Sequence, residues 1–261
     1  MNEFKEALSI IKTRWAEAGL IIGLTFLPNL SNQILLQYYH RYSFWWVSFL
    51  NLGILLFVLL ISAGFLRTVY LEQKKRQSPL NLILAGKNFF LRLVGFRLLY
   101  AIVLMSLMWL VHWITKTTIT DISSKGIPSL IGLTGTIVTS LILAKPFLLI
   151  PALIIVLDCD LFESFKFAWR TRLLNAKPLL TVFLARVVVL PYLPLFFSNS
   201  CGVSCGVSPS MSWSYTFSIL YYIVLQVLTL IIQIMAVRFV GSLGIVYNKP
   251  DKPIKSFRLY L

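Results

Sequence analysis

Six apolar stretches, each long enough to cross a bilayer, occupy most of this chain, and lysine and arginine crowd into every second connection between them. A helix needs about 20 apolar residues to cross the hydrocarbon of a membrane. The stretches lie at about 18–38, 44–70, 93–114, 127–157, 178–197 and 213–247. They predict an all-α integral membrane protein, a bundle of about six transmembrane helices forming a single domain over residues 1–261. Only 13% of the residues are charged and 58% are hydrophobic. Soluble domains carry about twice that charge, and no stretch is long and polar enough for a soluble catalytic unit.

The distribution of charge predicts orientation. Lys5, Lys12 and Arg14 precede the first span, Arg67 to Arg92 and Asp158 to Lys177 are basic connections, and Lys249, Lys252, Lys255 and Arg258 fill the tail. The opposite side holds only Arg41, Lys116 and Lys125. Basic residues retain connections on the cytoplasmic side, so both termini are expected there, in the inner membrane of a bacterial-type cell. The N-terminal segment carries Glu3, Glu6 and Glu17 and lacks the apolar core of a cleavable signal. The first span is therefore expected to be an uncleaved anchor. Attraction of cytoplasmic lysine and arginine to anionic lipid headgroups accounts for the net charge of +15. No basic patch is interleaved with stacking aromatics, so membrane lipids, and not nucleic acid, are the expected partners.

Three amphipathic segments are expected to lie in the interface. In the first, Phe4, Leu8, Ile11 and Trp15 share a helical face. In the first basic connection Ser78 can cap, Pro79 suits the first helical position, and Leu80, Ile83, Leu84 and Leu91 form a stripe ending before a span at Leu93. In the second, Asp160 and Glu163 have the spacing of a capping box, followed by Phe162, Phe165, Trp169 and Leu173 on one face. Small residues, Gly53, Ala63 and Gly64, or Gly132, Gly135 and Ala144, would let helices approach closely.

The stretch from Leu157 to Asn175, LDCDLFESFKFAWRTRLLN, follows a span containing Pro146 and Pro151. It resembles the signature connection of a broad prokaryotic group of six-span membrane proteins, related to the membrane domain of glycerophosphoryl diester phosphodiesterases and to YciC-like inner-membrane proteins. The matching positions are Ser164, Lys166, Ala168 and Trp169, with a second likeness from Gly86 to Arg92. The resemblance covers most of the chain after about residue 60 and implies a six-span membrane fold. It implies no activity, because phosphodiesterase chemistry in such proteins resides in a separate soluble domain.

Four basic residues fall within expected spans, Arg97, Lys145, Arg186 and Arg238. A charge at mid-bilayer costs about 3 kcal/mol on insertion scales, so such residues face a cavity or a partner unless they reach the headgroups. Arg97, near the cytoplasmic end of its expected span, is assigned to the headgroups. Lys145, Arg186 and Arg238, with Asp158 beside them, are the candidate ligand-binding residues. They would form a basic intramembrane pocket for an anionic amphiphile or small solute, with the helix around Pro146 controlling access. Asp160, Glu163, Trp169 and Pro146 are candidate structural residues.

Asp158 and Asp160 also form a D-x-D pair, but the cap explains Asp160 and a neighbouring base explains Asp158. Cys201 and Cys205, in a loop expected outside, fit a local disulfide, free thiols or, with His40 and His112, a metal site whose spacing is unlike that of zinc ligands. Cys159 is expected to be cytoplasmic and reduced. No cofactor and no metal is expected. No H-E-x-x-H, G-x-S-x-G, Walker loop or G-x-G-x-x-G occurs, so the expected protein is not an enzyme. The alternative to ligand binding is an accessory or scaffold subunit with a membrane-protein partner or a second copy of itself.

Overall fold

A computed structural model describes residues 2–38, 45–71, 77–118, 138, 143–171, 177–189 and 211–243. Helix α1 covers Asn2–Thr13, α2 Trp15–Tyr38, α3 Trp45–Tyr70, α4 Pro79–Thr118, α5 Ala144–Leu157, α6 Leu161–Arg170, α7 Lys177–Leu184 with a π-helical turn at Ala185–Val189, and α8 Met211–Ser242. The described residues are helical, without strands. Three of their helical segments are long and apolar enough to cross a membrane: Val47–Tyr70, Pro79–Leu107 and Ile219–Ser242. Trp15–Pro28 and Ala144–Leu157 are shorter apolar helices. The start of the expected fourth span, the end of the fifth, His40, the loop with Cys201 and Cys205, and the tail lie outside the described residues.

The hairpin of α3 and α4 is the backbone of the bundle. Leu82, Gly86, Phe89, Leu93 and Phe96 recur every three or four residues on α4 and are all buried, as a helix facing one partner requires. A Cβ on Gly64 would collide with the carbonyl oxygen of Leu82, and one on Gly86 with that of Leu60. Absent side chains at both positions bring the two backbones together. Gly53, of the same expected set, has nothing near it.

This packing corrects the expected first elbow. The chain does not break between Arg92 and Leu93: α4 is one helix of 40 residues, about 60 Å long at 1.5 Å per residue. The stripe of Leu80, Leu84 and Leu91 faces outward, because close packing at Gly86 turns the Leu82–Phe89 row toward α3.

The second elbow forms a helix as expected, with a different cap. α6 packs against α5, joined to it by a tight turn at Asp158–Asp160. Its buried residues are the small ones, Ser164 and Ala168. Phe162 and Trp169 are exposed, while Phe165 turns in toward Phe96 with ring centroids 6.4 Å apart. Asp160 occupies the N-cap position in an extended conformation, but its carboxylate makes no capping hydrogen bond. Instead Arg92 lies 3.8 Å from it, and the Ser164 hydroxyl donates to the Asp160 carbonyl at 2.8 Å.

The N-terminal helix is amphipathic, with a face rotated from the expected one. Phe4, Ala7 and Ile11 face the core while Leu8 and Trp15 are exposed, and α1 packs on α8 and α2. At its end Arg14 and Glu17 form a buried ion pair. Arg14 also sits over the Phe65 ring at 4.7 Å, and the Gln77 backbone N–H donates to Glu17 at 2.6 Å. One pair therefore ties the N-terminus to α3 and to the chain just before α4.

Candidate functional site

A cavity of ≈ 540 Å³ lies between α2, α3, α4, α5 and α8. That volume is within the range of about 300–1,000 Å³ typical of small-ligand sites. Its walls are mostly apolar, with Ile21 and Ile22 from α2 and Leu52, Leu55, Leu56 and Leu59 from α3. The polar lining comprises Arg97 and Arg186, Gln226, Thr229 and Gln233 from α8, and the hydroxyls of Thr25 and Ser62. A water-sized void of ≈ 20 Å³ adjoins it, sharing Arg97, Phe147, Arg186, Thr229 and Gln233 and reaching Pro151, Ala152 and Ala236.

Each polar group is held by its own element. Arg97 is the nineteenth residue of α4, about 27 Å from the helix start, and its guanidinium carbon lies 5.5 Å from the centroid of the Phe147 ring. Phe147 packs on Tyr100 at 5.0 Å and on Phe183 at 6.4 Å, so an aromatic cluster fixes where Arg97 can sit. Pro151 in α5 lacks an N–H, leaving the Phe147 carbonyl without its helical donor. Arg186 follows α7 in the π-helical turn; such turns re-aim a side chain by widening one turn of the helix. Its Nε donates to the Thr229 hydroxyl at 3.0 Å, and that hydroxyl donates to the Leu225 carbonyl at 2.7 Å. The two guanidiniums are near enough to repel each other, and the Tyr100 hydroxyl lies within electrostatic reach of both. Among the described residues, the cavity lining contains no carboxylate, and neither arginine forms an ion pair.

Of the four candidate ligand-binding residues, only Arg186 lines this cavity. Lys145 sits in the first turn of α5, where its ammonium donates to the Trp169 carbonyl at 2.6 Å and lies 5.8 Å from that ring's centroid. It ties the start of α5 to the end of α6. Arg238 forms an ion pair with Glu6 on α1. Asp158 accepts from Arg92 Nη1 at 2.7 Å, so the acid sits at the turn. Pro146 is in the first turn of α5, where a missing N–H breaks no helical hydrogen bond. These three charges reinforce junctions between helices, and the structure does not bring them together with Arg186.

Arg97 takes the place they leave. In the unbroken helix from Pro79 it is the nineteenth residue, and it lines the cavity. The α8 side of the site was readable: Gln226, Thr229 and Gln233 follow one another at spacings of three and four in an otherwise apolar span, which places them on one face.

At the turn, Cys159 is buried and its Sγ lies 3.1 Å from the Ser164 hydroxyl. Burial pushes the thiol's pKa up, which keeps it a neutral packing residue. Among the described residues no cluster of His, Cys, Asp and Glu could hold a metal. Comparisons with protein-family models, curated proteins and solved structures find no match to this chain.

Proposed function

We propose that this chain is a non-enzymatic, multi-pass protein of the inner membrane that binds or moves an anionic amphiphile, held in the cavity by Arg97 and Arg186. The observation that carries this is the pair of guanidiniums lining a largely apolar cavity in which, among the described residues, no carboxylate faces them. Guanidinium groups suit the oxygens of phosphates and carboxylates. A cation held deep in a low-dielectric site is costly until an anion joins it. The apolar walls on α2 and α3 suit a hydrocarbon tail. Six spans with both termini cytoplasmic complete the proposal, supported by the one-sided distribution of lysine and arginine. Kinship with the six-span group named above belongs to it too, resting on the Leu157–Asn175 stretch.

Extraction in mild detergent followed by analysis of retained lipids tests this. The wild-type protein should carry an acidic amphiphile, and a variant with Arg97→Gln and Arg186→Gln should lose it. Equal retention of acidic and zwitterionic lipids by both proteins would refute the site.

A second role, as an accessory subunit, is favoured by the outward apolar row of α4. Leu84, Leu91, Leu98, Met105 and Trp109 are exposed along it. With Leu80 the row is about 43 Å long at 1.5 Å per residue, longer than the roughly 30 Å of hydrocarbon that lipid can cover. A stoichiometric protein partner after the same extraction would favour this role.

A further inference from the structure

Accepting that the cavity binds an anionic amphiphile, we infer from its charge count that the ligand is a phosphate monoester carrying two negative charges, its hydrocarbon tail lying between α2 and α3. Arg97 and Arg186 bring two positive charges to the cavity, and among the described residues its lining brings no negative one. Neutrality in a poorly solvated site needs two negative charges. A carboxylate or a phosphodiester supplies one and leaves a guanidinium unmatched, whereas a phosphomonoester dianion supplies both.

The donors fit as well. Arg186 spends its Nε on Thr229, which leaves its terminal nitrogens to face an anion. Arg97 makes no hydrogen bond among the described residues, so its fork is available, and Gln226 and Gln233 add carboxamide donors to the same lining. Three terminal phosphate oxygens can accept from this set together, where two carboxylate oxygens cannot. On the α3 wall Leu52 and Leu55 line the cavity and are also exposed. The wall is therefore open there, as a tail continuing into the bilayer requires.

A dianion gives this inference a pH signature. The second ionisation of a phosphomonoester falls near pH 6, so a site that needs the dianion binds about tenfold more weakly at pH 5 than at pH 8. The facing groups do not blur this. Among the described residues Tyr100 on α4 and Tyr221 on α8 are the titratable side chains near the arginines, and the described parts of α2, α3 and α5 contribute none to the lining. Phenols titrate near pH 10.

The test is calorimetric binding of three probes to the full chain in a neutral detergent: dodecyl phosphate, dodecyl methyl phosphate with its single charge, and inorganic phosphate. Dodecyl phosphate should bind tightest and gain about tenfold from pH 5 to pH 8, with the methyl ester weaker and flat. Arg97→Gln should remove both the pH dependence and the preference for the monoester, and the double glutamine variant reports any uptake by the detergent itself. Equal, pH-independent binding of the methyl ester would overturn the dianion while leaving an anionic amphiphile in place. Binding of inorganic phosphate as tight as that of dodecyl phosphate would overturn the lipid source. No binding of either alkyl phosphate, or equal binding by the double variant, would sink the cavity's function altogether. Should the variants fail to fold, the wild-type comparison of the two esters across pH decides.

Discussion

Arg92 Nη1 lies 2.7 Å from a carboxylate oxygen of Asp158 and 3.2 Å from the Cys159 carbonyl, pinning the turn between α5 and α6 to the middle of α4. Asp158 has a positive φ of 54°, a left-handed conformation that caps α5 and favours glycine or asparagine. Arg67 secures the same helix end, donating to the Ile155 and Val156 carbonyls at 2.7 and 3.1 Å. Arg67 thus satisfies carbonyls at the C-terminus of α5 that would otherwise lack partners, and Arg92 holds the turn just beyond it.

The Arg92–Asp158 pair is partly exposed, so its coupling should be modest. A double-mutant cycle with Arg92→Ala and Asp158→Asn should return about 1 kcal/mol or less, measured by thermal unfolding in detergent. Asparagine keeps the left-handed cap, so the cycle isolates the charge. A coupling well above that, about 3 kcal/mol, would mean that the pair is shielded from solvent.

Glycine contacts should dominate the stability of the α3–α4 hairpin. Gly86→Ala and Gly64→Ala each drive a methyl into a carbonyl of the facing helix, and overpacking of this kind costs about 1–3 kcal/mol or more. Gly53→Ala, with open space around it, should cost nothing and serves as the control. Equal midpoints for all three variants would contradict the packing.

The buried pair at the N-terminus predicts an asymmetry. Arg14 and Glu17 are each about 5% exposed, so Glu17→Ala should cost about 3–5 kcal/mol by stranding a buried guanidinium. Adding Arg14→Met to Glu17→Gln should restore much of that loss, because the glutamine oxygen still accepts from the Gln77 N–H. A double variant less stable than Glu17→Ala alone would show that the charge itself is needed.

Cys159 should resist thiol reagents well into the alkaline range. Burial raises its pKa, so the unfolded chain ionises first as pH rises. Stability due to the neutral thiol is therefore fully present below the ordinary thiol range and lost as pH climbs from there through the raised folded-state value. Labelling rates in a Cys201→Ser, Cys205→Ser background, followed against pH, check this. Fast labelling at neutral pH would place Cys159 in an open environment.

How far the sequence could be followed is best seen at α4. The apolar character of its span and the basic residues before it were legible, because hydropathy and charge are properties of single residues. The unbroken course from Pro79 to Thr118 was not, since the row Leu82, Gly86, Phe89, Leu93, Phe96 and the row Leu80, Leu84, Leu91 have the same helical period. Only the meeting of Gly86 with Leu60 decides which row faces inward. That choice moved Arg97 from an expected headgroup position to the cavity. Lys145 and Arg238 lie away from the cavity for a related reason: their partners, the Trp169 carbonyl and Glu6, are 24 and 232 residues away, and no local pattern announces them. At α6 the motif positions Ser164 and Ala168 are buried against α5, a packing role that their size alone permits.

The central claim is that Arg97 and Arg186 share an anion within the membrane. A density map of the protein in lipid nanodiscs, at a resolution that shows side chains, tests it most directly. The account predicts a tetrahedral headgroup density in contact with both guanidiniums, with a tail running between α2 and α3. A cavity filled by water alone, or by a carboxylate of the chain itself reaching Arg97 and Arg186, would contradict it.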